Sequence, residues 1–490
     1  MNDITHSVAL QDHCDKQFID GSWVSCAGSQ TIQIINPANE TTIATVRLGN
    51  RADVDLAVEA ARRAFPAWSR TPSATRARYL RDIAAQIRDR AESLARLSSL
   101  NNGKPLAEAR LDITDAVATY EYYAGLSDKL DDQQAQPAQL GSSEFSSHAY
   151  LEPVGVVALI VPWNFPLVTT AWKLAPALAA GCTVVLKPSE VTPLVEMEMA
   201  TIALAVGLPA GVFNLVNGAG EEVGAALVEH PHVAKVSFTG SNRVGERVMQ
   251  SAARRIANVS LELGGKSPII VFENANLDRA VELVLNGIFF NAGQMCSATS
   301  RLLVQESIAP QLLERLKRAT EAIVVDDAFA DGVTMGPLTS ATQLRTVMRY
   351  LELGRAQGLN CLSGGKRIDR PGYFVTPTIF VDVPTNSELW TEEIFGPVLC
   401  TRTFKTEEEA IRLANDTPYG LAATIVHADD RRAERVARAL EAGHIWINGP
   451  QVVLPQTSWG GFKRSGLGRE LGPWGLQSFL EIKQVTRMNA

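Results

Sequence analysis

At 490 residues the chain is too long for one hydrophobic core, so two or three domains around a deep interior are expected. Its hydrophobic share of 46%, charged share of 20% and mean hydropathy near zero describe a globular protein that dissolves in water. Forty-six Lys and Arg against 53 Asp and Glu, interspersed, give a net charge of −7 and exclude a basic footprint for nucleic acid or an anionic membrane.

The opening MNDITHSVALQDHCDKQFIDG has no basic stretch followed by an apolar run, and no apolar segment reaches the roughly 18 residues of a bilayer span. A cytoplasmic address is expected. Six cysteines (Cys14, Cys26, Cys182, Cys296, Cys361, Cys400) are scattered without a CxxC pair, as in a reduced compartment. A short strand-rich lead-in, IQIINPANETTIATVRL, precedes helical spacing in VDLAVEAARRAFPAW from Val54 and in RARYLRDIAAQIRDRAESLARL from Arg76, read as one helix. The polar stretch DKLDDQQAQPAQLGSSEFSSHAYLEP then reads as an exposed hairpin or arm.

From residue 154 short β-branched runs alternate with helix-length segments. VGVVALIV, TVVLKP, VFNLV, VAKVSF and SPIIVF form one series, and RLLVQ, TPTIFVDV, VLCTRTF, GLAATIVH and HIWING a second. Such alternation predicts parallel strands with crossover helices, in two α/β domains. The terminal FLEIKQVTR is a strand with nothing after it to pair with; it joins the polar arm, adds to another subunit, or does both, which implies an oligomer.

Open parallel sheets bind ligands at the carboxyl ends of their strands. GAGEEVG from Gly218 is a near miss for the dinucleotide fingerprint, with its third glycine one place late. VSFTGSNRVG is the better candidate, because Thr239, Gly240 and Ser241 run from a strand into a helix whose N-terminus stabilises a phosphate; an ordinary strand-to-helix turn is the plain alternative. In VVLKPSE, Lys187 and Glu190 stand just past a strand end. At a cofactor edge, Glu190 would accept from two ribose hydroxyls and repel a 2′-phosphate, favouring NAD over NADP.

Three further residues carry chemistry. Cys296, in FFNAGQMCSATS, is a nucleophile if its thiol is assisted, and none of the seven histidines stands in a Cys/His arrangement with it. Glu262, in VSLELGGKSPII, is a carboxylate among apolar residues beside a predicted buried strand, where burial raises its pKa toward neutrality and makes it a base or an acid; a buried ion pair is the alternative. PWNFP fixes Asn164 between two prolines at a strand end, a rigid N–H donor suited to an oxyanion.

In order and spacing, PWNFP, KPSE, FTGS, LELGGKSP, GQMCSATSR, EEIFGPV and GFKRSG with GRELG resemble the NAD(P)-dependent aldehyde dehydrogenase superfamily over nearly the whole chain, from Ile35 to the terminal strand. GQMCSATSR with EYYAG, AWKLAPALAAG, IWIN and SWGG is most similar to the betaine-aldehyde and aminoaldehyde dehydrogenases. The resemblance implies an α/β fold of two doubly wound parallel-sheet domains plus a small β oligomerisation arm. It divides the chain into a Rossmann-like NAD-binding domain (1–127 and 148–262), a catalytic domain (263–447) and the arm (128–147 and 475–490).

It further implies an oxidoreductase that takes an aldehyde irreversibly to a carboxylic acid, with NAD as cofactor and no metal. Cys296 forms the thiohemiacetal and thioester, Glu262 activates the deacylating water, Asn164 and the Cys296 backbone N–H hold the oxyanion, and Lys173 and Glu470 move protons. Cofactor contacts fall at Pro162, Trp163, Lys187, Glu190, Gly220, Thr239, Gly240, Ser241, Val244, Leu263, Gly265, Glu393 and Phe395. The substrate pocket falls at Phe165, Trp172, Phe290, Met295, Ser297, His444 and Trp459.

Phe165 and Phe290 depart from the tyrosine and tryptophan common in that subfamily. His444 stands where it has a small or aliphatic residue, and is expected to crowd a quaternary head and to be able to carry charge. Asp112 and Asp115 match positions near the pocket entrance, where they attract a primary ammonium or form a charged helix face. The expected substrate is an ω-aminoaldehyde, with betaine aldehyde secondary, in a homodimer or homotetramer. Alternatives are a dehydrogenase for uncharged or anionic aldehydes, a CoA-acylating enzyme, against which Glu262 speaks, and an inactive NAD-binding relative, against which the intact trio speaks.

Overall fold

The computed structural model describes residues 12–489. Residues 1–11, assigned to the dinucleotide-binding part and read for a leader, and Ala490 of the arm lie outside it. A hairpin of β1 (Lys16–Ile19) and β2 (Ser22–Ser25) and a second of β3 (Thr31–Ile35) and β4 (Thr42–Arg47) come first among the described residues. The expected lead-in is thus a hairpin, and the one before it was not anticipated.

The helix Arg51–Trp68 begins with a capping box, Asn50 and Asp53 each satisfying the other's backbone N–H. The single helix expected from Arg76 is two, Ser73–Asp89 and Ala91–Asn102, because Arg90 (φ −102, ψ 11) leaves the helical region and turns the chain. The apolar spacing runs through the break, which is why periodicity alone misses it. A fourth helix, Leu106–Ser127, leads to the arm: β5 (Gln136–Pro137) and β6 (Phe145–Pro153).

The first large sheet follows with β7 (Val156–Ile160), β8 (Thr183–Lys187), β9 (Phe213–Leu215), β10 (Lys235–Thr239) and β11 (Asn258–Glu262), all parallel. The second holds β12 (Pro268–Val271), β13 (Arg301–Gln305), β14 (Asn360–Ser363), β15 (Thr378–Val381), β16 (Val398–Phe404), β17 (Ala422–Val426) and β18 (His444–Ile447), parallel but for β14. SPIIVF, read with the first series, therefore opens the second sheet, and the strand carrying Glu262 is the unanticipated β11. Its residues NVSLE run straight into Leu-Gly-Gly, which hides a five-residue strand.

With β19 (Gly466–Leu467) the orders are β19-β11-β10-β7-β8-β9-β1-β2 and β14-β15-β16-β13-β12-β17-β18. After the short helix Gly472–Gln477, β20 (Leu480–Met488) pairs antiparallel with β6 along its whole length, from Leu480 opposite Pro153 to Met488 opposite Phe145. The terminal strand thus joins the polar arm, as its lack of a later neighbour required. The helix Pro166–Ala180 packs against the helix Leu106–Ser127 and is buried at every position, its side chains apolar apart from Thr169, Thr170 and Lys173. Among the described residues no helix is long and apolar enough to cross a membrane.

Candidate active site

In the first sheet β7 and β10 are neighbours, yet the chain leaves β7 toward β8 on the other side. The segments after β7 and β10 therefore diverge and open a crevice at the carboxyl edge, the usual ligand position in such sheets. One segment is Val161-Pro162-Trp163-Asn164 and the other Gly240-Ser241, following Thr239 at the end of β10. The crevice deepens into a cavity of about 770 Å³ lined by both, and by Glu262, Cys296, Phe395 and the segment 450–455.

Cys296 follows the helix Leu277–Phe289 through a turn in which Asn291 and Ala292 are left-handed (φ 48 and 53). Two glycines make the approach of the neighbouring loop possible. A Cβ on Gly265 would lie 2.5 Å from the Cys296 carbonyl oxygen, and one on Gly264 2.1 Å from Oε2 of Glu393. Ser297 donates to Oε1 of Gln451 at 3.1 Å, fixing the far side of the sulfur's loop. Nδ2 of Asn164 donates to the Gln294 carbonyl at 3.0 Å, leaving its second N–H for another acceptor.

Burial raises the Cys296 thiol well above its ordinary value, and the carboxylates of Glu262 and Glu393 add to the rise, so the sulfur is protonated at rest. Burial also lifts Glu262 to about 8, with a push from Glu470; Lys173, the Cys296 thiol and the Trp459 indole pull it back. A base with that pKa suits proton transfer near neutrality. Oε1 of Glu262 is buried without a hydrogen-bond partner, so one carboxylate oxygen is open to thiol or water. Lys173, fully buried, is ion-paired with Glu470, whose second oxygen is unpartnered.

The residues proposed for a dinucleotide fit one. Thr239 carries a buried, unpartnered hydroxyl beside Gly240, and Ser241 caps the helix Asn242–Ala253 by accepting from the Val244 N–H at 3.4 Å. Lys187 is the last residue of β8 and buried, not past its end as expected, and Nζ lies 3.1 Å from Glu190. Burial raises Glu190, but Lys187 and the backbone N–H groups of Glu190 and Gly220 outweigh it and keep the carboxylate ionised. Leu263 and Pro162 line the crevice. Phe395, itself left-handed at φ 57, packs edge-on against Trp163 at 5.3 Å, and Glu393 accepts from the Gly265 N–H at 2.9 Å.

On the opposite wall Phe165 and Phe290 stack with centroids 6.3 Å apart, and Trp172 meets Trp459 at 5.8 Å; Met295 lines the cavity with them. His444 does not line it. The imidazole sits behind Trp459 (5.6 Å) and against Trp446 (4.5 Å), and burial lowers its pKa, which favours the neutral form over the cation it was expected to be able to become. Asp112 is neutralised by buried Lys104 at 2.6 Å. Asp115 has no cationic partner: it accepts from the Trp172 indole at 3.0 Å and from Thr119 at 3.2 Å, and burial lifts it to about 6. The helix-face alternative fails for Asp112, which points inward.

Gln343 and Gln451 were missed. Gln343 lines the cavity and donates to the carbonyls of Ile394 (3.2 Å) and Phe395 (2.6 Å), and Gln451 holds Ser297 and Thr299. Each acts across 50 or more residues, and a lone glutamine carries no local signal.

The aldehyde dehydrogenase family model matches residues 23–485. Aminoaldehyde dehydrogenase 1, peroxisomal, of Pisum sativum is 49% identical over 477 residues, 96% of this chain and 95% of that protein. The chloroplastic betaine aldehyde dehydrogenase of Beta vulgaris is 48% identical over 476 residues, covering 96% and 95%. Among solved structures, betaine aldehyde dehydrogenase of Staphylococcus aureus in complex with NAD+ superposes with a TM-score of 0.95 at 42% identity, covering 98% of this chain and 96% of that one. On these likenesses of sequence and fold, the chain belongs to the aldehyde dehydrogenase family.

Proposed function

We propose that the protein oxidises ω-aminoaldehydes to ω-amino acids with NAD, betaine aldehyde being a poorer substrate. NAD-dependent aldehyde oxidation follows from the family. The choice of aldehyde is supported chiefly by one observation: the cavity is lined by Asp112, Asp115, Glu262, Glu393 and Glu470, and by no Lys, Arg or His among the described residues. An anionic aldehyde finds no cationic side chain there, whereas an ammonium meets Asp115 and aromatic rings, each ring contact worth roughly 0.5–2 kcal/mol.

The thiol proton of Cys296 passes to Glu262, and the sulfur adds to the carbonyl carbon. The oxyanion that develops lies between the free N–H of Asn164 and the Cys296 backbone N–H, donors that are already placed and so cost no reorganisation. Trp163, Gly240, Ser241 and Phe395 would hold the dinucleotide, which when bound would supply the hydride acceptor for oxidising the Cys296 adduct to a thioester. Glu262 passes the thiol proton inward toward the Glu470–Lys173 pair and, ionised again, takes a proton from the water that attacks the thioester; the Cys296 thiolate leaves as the acid is released.

The division into an NAD-binding domain, a catalytic domain and an arm is supported by the separate memberships of the two sheets. Self-association through the arm is supported by the exposed Ile482, Val485 and Met488 on β20. The cytoplasmic address is part of the same reading, although the pea and beet relatives are by name peroxisomal and chloroplastic. The stacked Phe165 and Phe290 favour a second reading, a dehydrogenase of uncharged aldehydes. Values of kcat/KM for 3-aminopropanal, 4-aminobutanal, betaine aldehyde, succinate semialdehyde and simple alkanals decide between them. A preference of tenfold or more for uncharged or anionic aldehydes refutes the first.

A further inference from the structure

The stretch Asn102-Gly103-Lys104-Pro105 has entered the site so far only through the ion pair of Lys104 with Asp112. Gly103 ends the helix Ala91–Asn102 at φ 95, with Pro37 and Pro337 so near that a Cβ would meet their Cγ atoms at 2.8 and 2.9 Å. Pro105 sets the start of the next helix. Lys104, pinned between two fixed backbone points, turns its side chain inward and is 1% exposed.

A buried ammonium needs partners, and Nζ has three: Oδ2 of Asp112 at 2.6 Å, the Asn164 carbonyl at 3.0 Å and the Phe165 ring at 3.9 Å from its centroid. One helical turn on, Glu108 accepts from the Asn291 backbone N–H at 2.9 Å. The Asn291 amide in turn donates to the carbonyls of Asn164 (3.0 Å) and Gln294 (3.2 Å), the latter also receiving the Asn164 side chain. A single segment therefore grips both halves of the site. Lys104 holds the backbone of Asn164, and Glu108 holds the left-handed turn that aims Cys296, a conformation that persists only where its surroundings enforce it.

We propose that Lys104 and Glu108 are positioning residues that keep the Asn164 amide and the Cys296 N–H in register as one oxyanion hole. The inference rests on the reading of Asn164 as an oxyanion donor. Lys104→Met, Lys104→Arg, Glu108→Ala and Glu108→Gln, each alone and combined with Asn164→Ala, are compared in three readouts: kcat, KM, and the rate at which iodoacetamide alkylates Cys296, a displacement that forms no oxyanion.

Lys104→Met and Glu108→Ala are expected to lower kcat by about 10- to 100-fold, within the range for a lost oxyanion donor. KM and alkylation should move less than about threefold, and almost nothing further should be lost in the Asn164→Ala background, since acting through one group makes losses non-additive. Lys104→Arg and Glu108→Gln, which keep the cation and the acceptor, should retain most of kcat. Additive losses, an equal fall in alkylation, or unchanged kcat overturn the inference. If Asn164→Ala itself leaves kcat near the parent value, the underlying reading of Asn164 is what fails. Should Lys104→Met not bind NAD, and so not be folded, the contrast between Glu108→Ala and Glu108→Gln decides the matter by the same criteria.

Discussion

Replacing Asp115 by Asn removes the one carboxylate on the substrate wall that has neither a cationic partner nor a part in the chemistry, while keeping an oxygen for the Trp172 indole. Asp112 is already balanced by Lys104, so the change is close to one full charge. An ammonium held roughly 5 Å away interacts with about 3 kcal/mol at an effective dielectric of 20. Asp115 is only partly buried, so water screens the pair, and about 1.5 kcal/mol is the figure to test, close to tenfold in rate. Steady-state kcat/KM should therefore fall about tenfold for 4-aminobutanal and change less than about twofold for butanal. In the parent enzyme the advantage of the amino substrate should fade as pH drops through about 6, where Asp115 takes up its proton. Equal losses for both aldehydes would show that Asp115 shapes the wall without acting through charge.

Three other outcomes follow from the geometry. Because burial lifts Glu262 to about 8, kcat should rise with pH up to about that value, and the rise should vanish in Glu262→Gln; a stopped-flow pH series measures it. Gly265→Ala puts a methyl 2.5 Å from the Cys296 carbonyl oxygen, a backbone atom that cannot yield without moving the nucleophile, so kcat should drop about 100-fold with the fold intact by circular dichroism. Glu196, fully buried with both oxygens unpartnered, is pushed well above the carboxyl range by burial. Its folded form holds a proton that the unfolded chain releases, so this residue costs stability increasingly as pH rises above the ordinary carboxyl value. Glu196→Met should stabilise by about 1–3 kcal/mol, and the gap in thermal midpoint should widen from pH 5 to pH 9.

The reach of sequence reasoning follows the distance over which each feature is determined. Strands such as Val156–Ile160 and Ala422–Val426 are buried on both faces and read as continuous apolar runs, so the two parallel layers were visible. PWNFP declares a rigid Asn164 because proline stiffness is local. The match of β20 to β6 was legible because an unpaired terminal strand has few places to go. By contrast, the break at Arg90 lies within unbroken periodicity, and the contacts of Glu108 with Asn291 and of Lys104 with Asn164 span 183 and 60 residues. His444 was misplaced for a related reason: its register on β18 was evident, but which side of Trp459 it faced depended on how that tryptophan packs.

On the proposed reading Cys296 carries the acyl group and Glu262 frees it, and the whole mechanism stands on these two roles. Glu262→Gln, mixed with NAD and 4-aminobutanal and quenched in acid after one turnover, tests both by mass spectrometry of the peptide bearing Cys296. The expected outcome is NADH formed more slowly than in the parent, because no base takes the thiol proton, and in an amount no larger than the number of active sites, with the 4-aminobutanoyl group as a thioester on Cys296. NADH formed without an adduct on that cysteine, or continued at the parent rate, would contradict it.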